Sequence, residues 1–200
     1  MAAAKKMGNK KMGNKKSPTG QLRIVAGNWR SRRLEIADVP GLRPTSARVR
    51  ETLFNWLAPS IAGSRCLDLC AGTGALGLEA LSRGATRTVF VDSSAKAGAA
   101  LKRNIAKLCA TDAAVITADA RDFLRSDALE AFDTVFIDPP FSAGLHEELC
   151  KLLGERDWLA ENVRVYIEMS NSDDASFLPS NWKVLKDKAA GNVRYLLATT

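Results

Sequence analysis

The chain predicts an α/β fold: a mixed seven-stranded sheet with helices on both faces, led by a small N-terminal β-hairpin. Three observations carry that expectation. From Arg65 onward, short β-branched runs alternate with stretches whose apolar residues recur every three or four positions, the pattern of parallel strands joined by crossover helices. The final stretch breaks the alternation: WKVLKDK and VRYLLA flank a Gly191-Asn192 turn and read as a closing antiparallel hairpin. Four strand runs carry an aspartate at their carboxyl ends (Asp68, Asp92, Asp119 and Asp138), the edge at which open α/β sheets bind ligands.

Taken in order, residues 1–20 read as a disordered Lys-rich tail, because the repeat KKMGN KKMGN KK has no apolar periodicity with which to bury a core. Residues 21–60 form an N-terminal unit. LRIVAGNWRSRRLEI places apolar residues at 22, 24, 34 and 36 around a Gly-Asn break, a hairpin whose tip and second strand carry Trp29, Arg30, Arg32 and Arg33. Arginine beside tryptophan offers charge for phosphate and a flat face for a base; the plain alternative is that Trp29 covers the hairpin. In GLRPTSARVRETLFNWLAP, Thr45 or Ser46 can cap a helix whose face is Val49, Leu53, Phe54 and Leu57, with Pro59 ending it. Arg43, Arg48 and Arg50 lie at or near the start of that helix. Cations there oppose its dipole, so an anionic ligand or a nearby carboxylate is expected.

Residues 61–200 form the main domain. RCLDLC, RTVFVD, AAVITAD, DTVFID and VRVYIEM read as strands. Between them come the helix GALGLEALSRG with Gly84 as its stop, the helix SAKAGAALKRNIAKL, a short helix near Ala120–Leu124 and a helix near Leu145–Leu153.

Charge is unevenly spread. Of the 29 Lys and Arg, ten lie in residues 1–33, which hold no Asp or Glu; the remaining 19 face all 22 acidic residues, a net of −3. A basic N-terminal segment on a mildly acidic body suggests a polyanion partner, most simply nucleic acid. No apolar run approaches the roughly 18 residues that span a bilayer, and the N-terminus lacks the apolar core of a signal peptide, so a cytoplasmic protein is expected. Cys66, Cys70, Cys109 and Cys150 form no C-x-x-C, and His146 is the one histidine, which leaves no metal site and predicts free thiols. His146 follows a stretch read as a loop and is expected at the surface.

Function is written at the strand ends. In DLCAGTGALG, Gly72 and Gly74 permit a tight turn and close backbone approach, and the next helix offers unpaired N–H groups. The run also matches the dinucleotide pattern G-x-G-x-x-G. An acidic residue four positions before the first glycine points instead to S-adenosylmethionine (SAM), which has no pyrophosphate and whose cationic amino-acid end Asp68 could neutralise. Asp92 follows at the spacing of a carboxylate that takes both ribose hydroxyls. Asp119 could accept from an adenine amine. Each of these aspartates could instead be a helix N-cap. In FIDPPF the strand stops at two prolines. Asp138 and the Pro139 carbonyl can hold the two N–H groups of an exocyclic amine, Pro139 and Pro140 fix the backbone, and Phe141 can stack on the base.

D-x-C-x-G-x-G followed by D-P-P-F resembles the class I SAM-dependent amino-methyltransferases, which have a Rossmann-like fold. RIVAGNWRSRRL, GLRPTSARVRETLFNWLAP and LDLCAGTGALGLEALSRGA resemble more narrowly the bacterial RsmD family, whose members methylate N2 of a guanine in 16S ribosomal RNA. The resemblance runs from about Gln21 to the final hairpin. It implies SAM as cofactor; Thr45, Asp68, Ala71, Gly72, Thr73, Gly74, Asp92, Ser93, Asp119, Ala120 and Asp138 as its binding residues; and Asp138, Pro139, Pro140 and Phe141 as the catalytic motif. Arg23, Trp29, Arg30, Arg32, Arg33, Arg43 and Phe141 would contact RNA, in a monomer acting on 16S rRNA within a small-subunit assembly particle. Asp92 stands where many relatives carry Glu. The alternatives are a DNA adenine-N6 methyltransferase sharing DPPF, an NAD-dependent oxidoreductase sharing the glycine loop, and a non-catalytic RNA-binding factor.

Overall fold

The computed structural model describes residues 20–128 and 130–200. The Lys-rich repeat, with the expectation of disorder attached to it, lies outside them. Strands β1 (Gln21–Arg23) and β2 (Arg33–Glu35) pair antiparallel with Leu22 opposite Leu34, as a separate two-stranded sheet. Helix α1 (Ala47–Leu57) starts at Ser46, whose hydroxyl accepts from the Val49 N–H at 3.2 Å, and buries Val49, Leu53, Phe54 and Leu57. Then follow β3 (Arg65–Leu69), α2 (Ala75–Ser82), β4 (Arg87–Asp92), α3 (Ala95–Leu108), β5 (Ala113–Thr117), α4 (Ala120–Arg125) and β6 (Phe132–Ile137). A 3₁₀ turn (Phe141–Ala143), α5 (His146–Glu155), β7 (Leu159–Ser170), β8 (Lys183–Ala190) and β9 (Val193–Thr199) complete the chain.

The seven-stranded sheet has the order β5-β4-β3-β6-β7-β9-β8. Its first five strands in that order are parallel, and β9 joins β7 antiparallel and carries β8 at the edge. The mixed sheet expected from the sequence is the one that forms. Strand order reverses between β3 and β6, so the glycine loop after β3 and the DPPF corner after β6 emerge side by side at the topological switch point.

Alternation along the strands sorts the side chains between two layers. Cys66, Phe90, Phe136, Tyr166 and Tyr195 face α1, α2 and the N-terminal hairpin. Leu67, Val91, Val135, Ile137, Val165 and Ile167 face α4 and α5 with Leu124, Leu149 and Trp158. Helix α2 is buried all round, and Gly77 is why it can lie so close to the sheet: a Cβ there would sit 2.3 Å from the Phe90 ring.

The hairpin is fixed to α2 through a buried charge cluster. Glu79, fully buried, accepts from the backbone N–H groups of Val25 and Ala26 at 2.8 and 2.9 Å and pairs with Arg50 at 3.1 Å and Arg83 at 2.9 Å. Arg50 also donates to the carbonyls of Thr45 and Arg23. The helix-start cation thus finds a carboxylate, one of the two partners expected for it, while Arg43 and Arg48 stay exposed. Ser82 adds to the clamp: its backbone carbonyl takes the Asn28 N–H and its hydroxyl takes the Trp29 N–H.

His146 corrects an expectation. It is buried rather than at the surface, because α5 begins there and packs its first turn against the end of β7. Its Nε2 lies 2.8 Å from the Glu168 carbonyl, which can only accept, so that nitrogen carries the proton; Phe177 packs against the ring. All four cysteines are free thiols, as expected. Cys109 is exposed, in a left-handed conformation at the end of α3.

Candidate active site

The loop after β3 is built by backbone geometry. Gly74 has φ +72°, and a Cβ there would meet Leu101 at 2.5 Å, so the position needs glycine twice over. Cys70 adopts φ +60° without being glycine, an uncommon conformation at the entrance to the loop. Its thiol is pushed up to about 12 by burial and then by the surrounding carboxylates Asp92, Asp68, Asp138 and Asp119, so it stays protonated and is no nucleophile. Ala71 and Thr73 are buried in the loop floor.

Asp68 is 2% exposed and accepts the Gly77 N–H at 2.9 Å, which ties the strand end to the first turn of α2. Burial, and then the charges of Asp138 and Asp92, raise its carboxyl well above the usual range against that hydrogen bond. Asp92 accepts from the Gly72 N–H at 2.7 Å and the Ser94 N–H at 2.8 Å, so the loop itself aims this carboxylate; Ser93 beside it is exposed. Asp119 is taken up differently. It caps α4, and its two oxygens receive the backbone and guanidinium of Arg121, all at 2.9 Å. That pairing lowers it to about 2. The helix-cap role, read from sequence as the plain alternative, is the one its side chain fills, and an adenine amine would have to share it with Arg121. Ala120 is buried as the first residue of α4.

The DPPF corner faces this loop. The Asp138 carboxyl accepts the Thr45 hydroxyl at 3.0 Å, and burial pushes it up to about 6 against that bond. Thr45, expected near the cofactor, is thus brought to the DPPF corner, where its hydroxyl is bonded to Asp138. Pro139 is buried and Pro140 exposed. The Pro140 carbonyl takes the Ala143 N–H, whereas no donor reaches the Pro139 carbonyl among the described residues. Phe141 is 40% exposed, an aromatic face standing free at the rim.

One residue of the corner escaped the sequence reading. Glu168 of β7 stands beside Asp138, because the parallel register pairs Ile137 with Ile167. It is 7% exposed, and its Oε2 accepts the Tyr166 hydroxyl at 2.7 Å. Burial, and next the charge on Asp138, push it up to about 8. The signal was one acidic residue in the apolar run VYIEM, hidden because β7 continues past it to Ser170. Asp68, Asp138 and Glu168 therefore form a row across three adjacent strands. Among the described residues no lysine or arginine pairs with any of the three.

The basic residues assigned to RNA gather around the hairpin. Arg23, Arg30, Arg32, Arg33 and Arg43 are exposed. Arg23 donates to the Ser31 hydroxyl, and Arg32 to the Lys107 carbonyl. Trp29 is half-buried against the core, so it covers the hairpin while keeping part of its surface free.

A family described as conserved hypothetical protein 95 matches residues 22–199. The chain is 45% identical to ribosomal RNA small subunit methyltransferase D of Escherichia coli K12, over 90% of this chain and 91% of that protein. It is equally similar to the protein of that name from Haemophilus influenzae, at 45% over 89% and 93%. The solved structure of the yhhF protein of Escherichia coli superposes with a TM-score of 0.83 at 43% identity, covering 90% of this chain and 98% of that one. The HI0767 structure from Haemophilus influenzae gives 0.78 at 42%, over 90% and 98%. With the glycine loop, the DPPF corner and the front hairpin all in place, the chain belongs to the RsmD family of small-subunit ribosomal RNA methyltransferases.

Proposed function

We propose that this protein transfers the methyl group of SAM to the exocyclic N2 of a guanine in 16S ribosomal RNA, acting as a cytoplasmic monomer on a small-subunit assembly particle. The observation that carries the reading is the corner of Asp138, Pro139 and Thr45 set beside a glycine loop, in a row with the buried carboxyls of Asp68 and Glu168, none of the three paired with a lysine or arginine among the described residues. A cationic ligand would supply the missing charge. A dinucleotide would instead bring its pyrophosphate to the glycine loop beside Asp68, and the one histidine is turned to a backbone carbonyl, which disfavours the oxidoreductase alternative. A DNA adenine enzyme would share the corner, but the relatives alike over about nine-tenths of the chain carry ribosomal RNA names, and the family match starts at residue 22, in the front hairpin.

SAM, when bound, supplies an electrophilic methyl on a sulfonium. Asp68, Asp92 and the backbone of Ala71–Gly74 would hold it. The rest is the work of the corner. An aromatic amine is a poor nucleophile because its lone pair is delocalised into the ring. Hydrogen bonds from its two N–H groups to Asp138 and to the Pro139 carbonyl favour a more tetrahedral nitrogen with the lone pair directed outward. Positioning and fixed dipoles of this kind lower a barrier without any covalent step by the protein. Thr45 holds the Asp138 carboxyl in place. Phe141 stacks on the base, which must leave its own stack to arrive. The methyl–sulfur bond would break as the nitrogen–carbon bond forms, its electron pair staying on sulfur as a neutral thioether. The N–H pair would stay on nitrogen and the proton would pass to the Asp138 carboxylate. Arg30, Arg32 and Arg33 would grip phosphates at the hairpin tip, which lies against the carboxyl-terminal ends of α2 and α3.

Replacing Asp138 with Ala tests this directly. Methyl transfer is expected to fall by at least about a thousandfold, with SAM affinity nearly unchanged. Surviving turnover would remove Asp138 from the chemistry.

A further inference from the structure

An exocyclic amine alone does not distinguish guanine from adenine or cytosine, and the DPPF corner reads only the amine. The ring position next to the amine does distinguish them. Guanine N2 is flanked by N1–H, a donor; adenine N6 and cytosine N4 adjoin unprotonated ring nitrogens, which accept. A carboxylate placed beside the amine corner would therefore pair with guanine and leave adenine or cytosine facing an acceptor.

Glu168 occupies that place. The register that pairs Phe136 with Tyr166 and Ile137 with Ile167 sets Glu168 next to Asp138 on the adjoining strand. Strand alternation puts its side chain on the layer shared by Phe136 and Tyr166, whose rings lie 6.4 Å apart. It sits on the side of Asp138 away from the glycine loop, since β6 separates β3 from β7. Its carboxyl is held at one oxygen and its backbone is fixed separately. Tyr166 donates to Oε2 at 2.7 Å, and His146 fixes the backbone carbonyl at 2.8 Å. No donor among the described residues reaches its other oxygen.

Resting on the guanine-N2 reading above, we propose that Glu168 is the residue that selects guanine, accepting N1–H while Asp138 and the Pro139 carbonyl hold the N2 amine. The groups facing it are Asp138 from β6, Tyr166 on its own strand, His146 of α5 against its backbone and Tyr195, its register partner on β9. Burial and the Asp138 charge favour its protonated form up to about 8, so selection should sharpen as pH rises.

The test uses the full-length protein with target RNAs that carry guanine, 2-aminopurine or adenine at the modified position. 2-Aminopurine keeps the amine at C2 but has an unprotonated N1, so it isolates the proposed contact. The wild type is expected to prefer guanine over 2-aminopurine by at least about a hundredfold in kcat/KM. Glu168→Gln, whose amide can donate to N1, should cut that ratio at least tenfold while SAM affinity holds. An unchanged ratio in a folded, SAM-binding variant overturns the role of Glu168. If the variant does not fold, the wild type decides: the guanine to 2-aminopurine ratio should rise between pH 6.5 and about 8.5, and a flat profile overturns the proposal. Wild-type transfer to adenine in preference to guanine would instead refute the guanine-N2 reading itself.

Discussion

Asp138 is held for function against stability, and the conflict can be measured. Its carboxyl is pushed up to about 6 in the folded chain against an ordinary value of 3.8, because it is largely desolvated and, among the described residues, has the Thr45 hydroxyl as its one side-chain donor. An acid raised in the folded state binds more protons folded than unfolded. Its ionisation therefore costs nothing below about pH 4, and the cost grows until it is complete above about pH 6. A rise of roughly two pKa units corresponds to about 3 kcal/mol. Asp138→Asn keeps an oxygen for Thr45 and removes the charge. It should exceed the wild type in stability by only about 1 kcal/mol at pH 4.5 and by up to about 3 kcal/mol at pH 8. In a chain of this size that is on the order of 6–10 °C in melting temperature. Urea unfolding at the two pH values, beside methyl transfer at pH 8, gives the whole comparison. The variant should be the more stable protein and the dead enzyme. A stability difference that does not grow between pH 4.5 and 8 would refute the claim that Asp138 is a buried, penalised anion.

Other expectations follow from the same geometry. Glu79→Gln leaves Arg50 buried and short of its carboxylate, so unfolding should be easier by about 3–5 kcal/mol, with the Val25 and Ala26 amides losing hydrogen-exchange protection. Gly77→Ala drives a methyl into Phe90 and should cost roughly 1–3 kcal/mol or more while weakening SAM binding, seen by calorimetry, because α2 carries the loop at its start. Phe141→Ala should leave the melting temperature within about 1 °C, since the ring is exposed, yet lower RNA affinity by the roughly 1–3 kcal/mol of a base stack. Arg30, Arg32 and Arg33 changed together to Ala should weaken RNA binding and shallow its salt dependence by about two in log–log slope; an unchanged slope would place the RNA elsewhere.

The sheet could be read from the sequence because its signals are local. Each β-branched run announced a strand, the Gly191-Asn192 turn announced the last hairpin, and the pair Thr45-Ser46 announced a helix start, which Ser46 caps. The two motifs of the site were equally local, since D-x-C-x-G-x-G and D-P-P-F are contiguous. Contacts that join distant segments gave no such signal. Thr45 meets Asp138 across 93 residues, and Glu168 meets it only through strand register. His146 sounded like a loop residue because its burial depends on where α5 starts, a boundary that neighbouring glycine and leucine do not fix. Asp119 had two plausible duties in sequence, and the position of Arg121, one helical step into α4, decided which duty its side chain performs.

The central claim is amine methylation of a guanine, and the most direct measurement is transfer of tritiated methyl from SAM to 16S RNA, free and within small-subunit particles, followed by digestion and identification of the labelled nucleoside. N2-methylguanosine at a single position, formed more readily in particles, is the expected product. Label in N6-methyladenosine, or no transfer to either substrate by a protein that binds SAM, would contradict it.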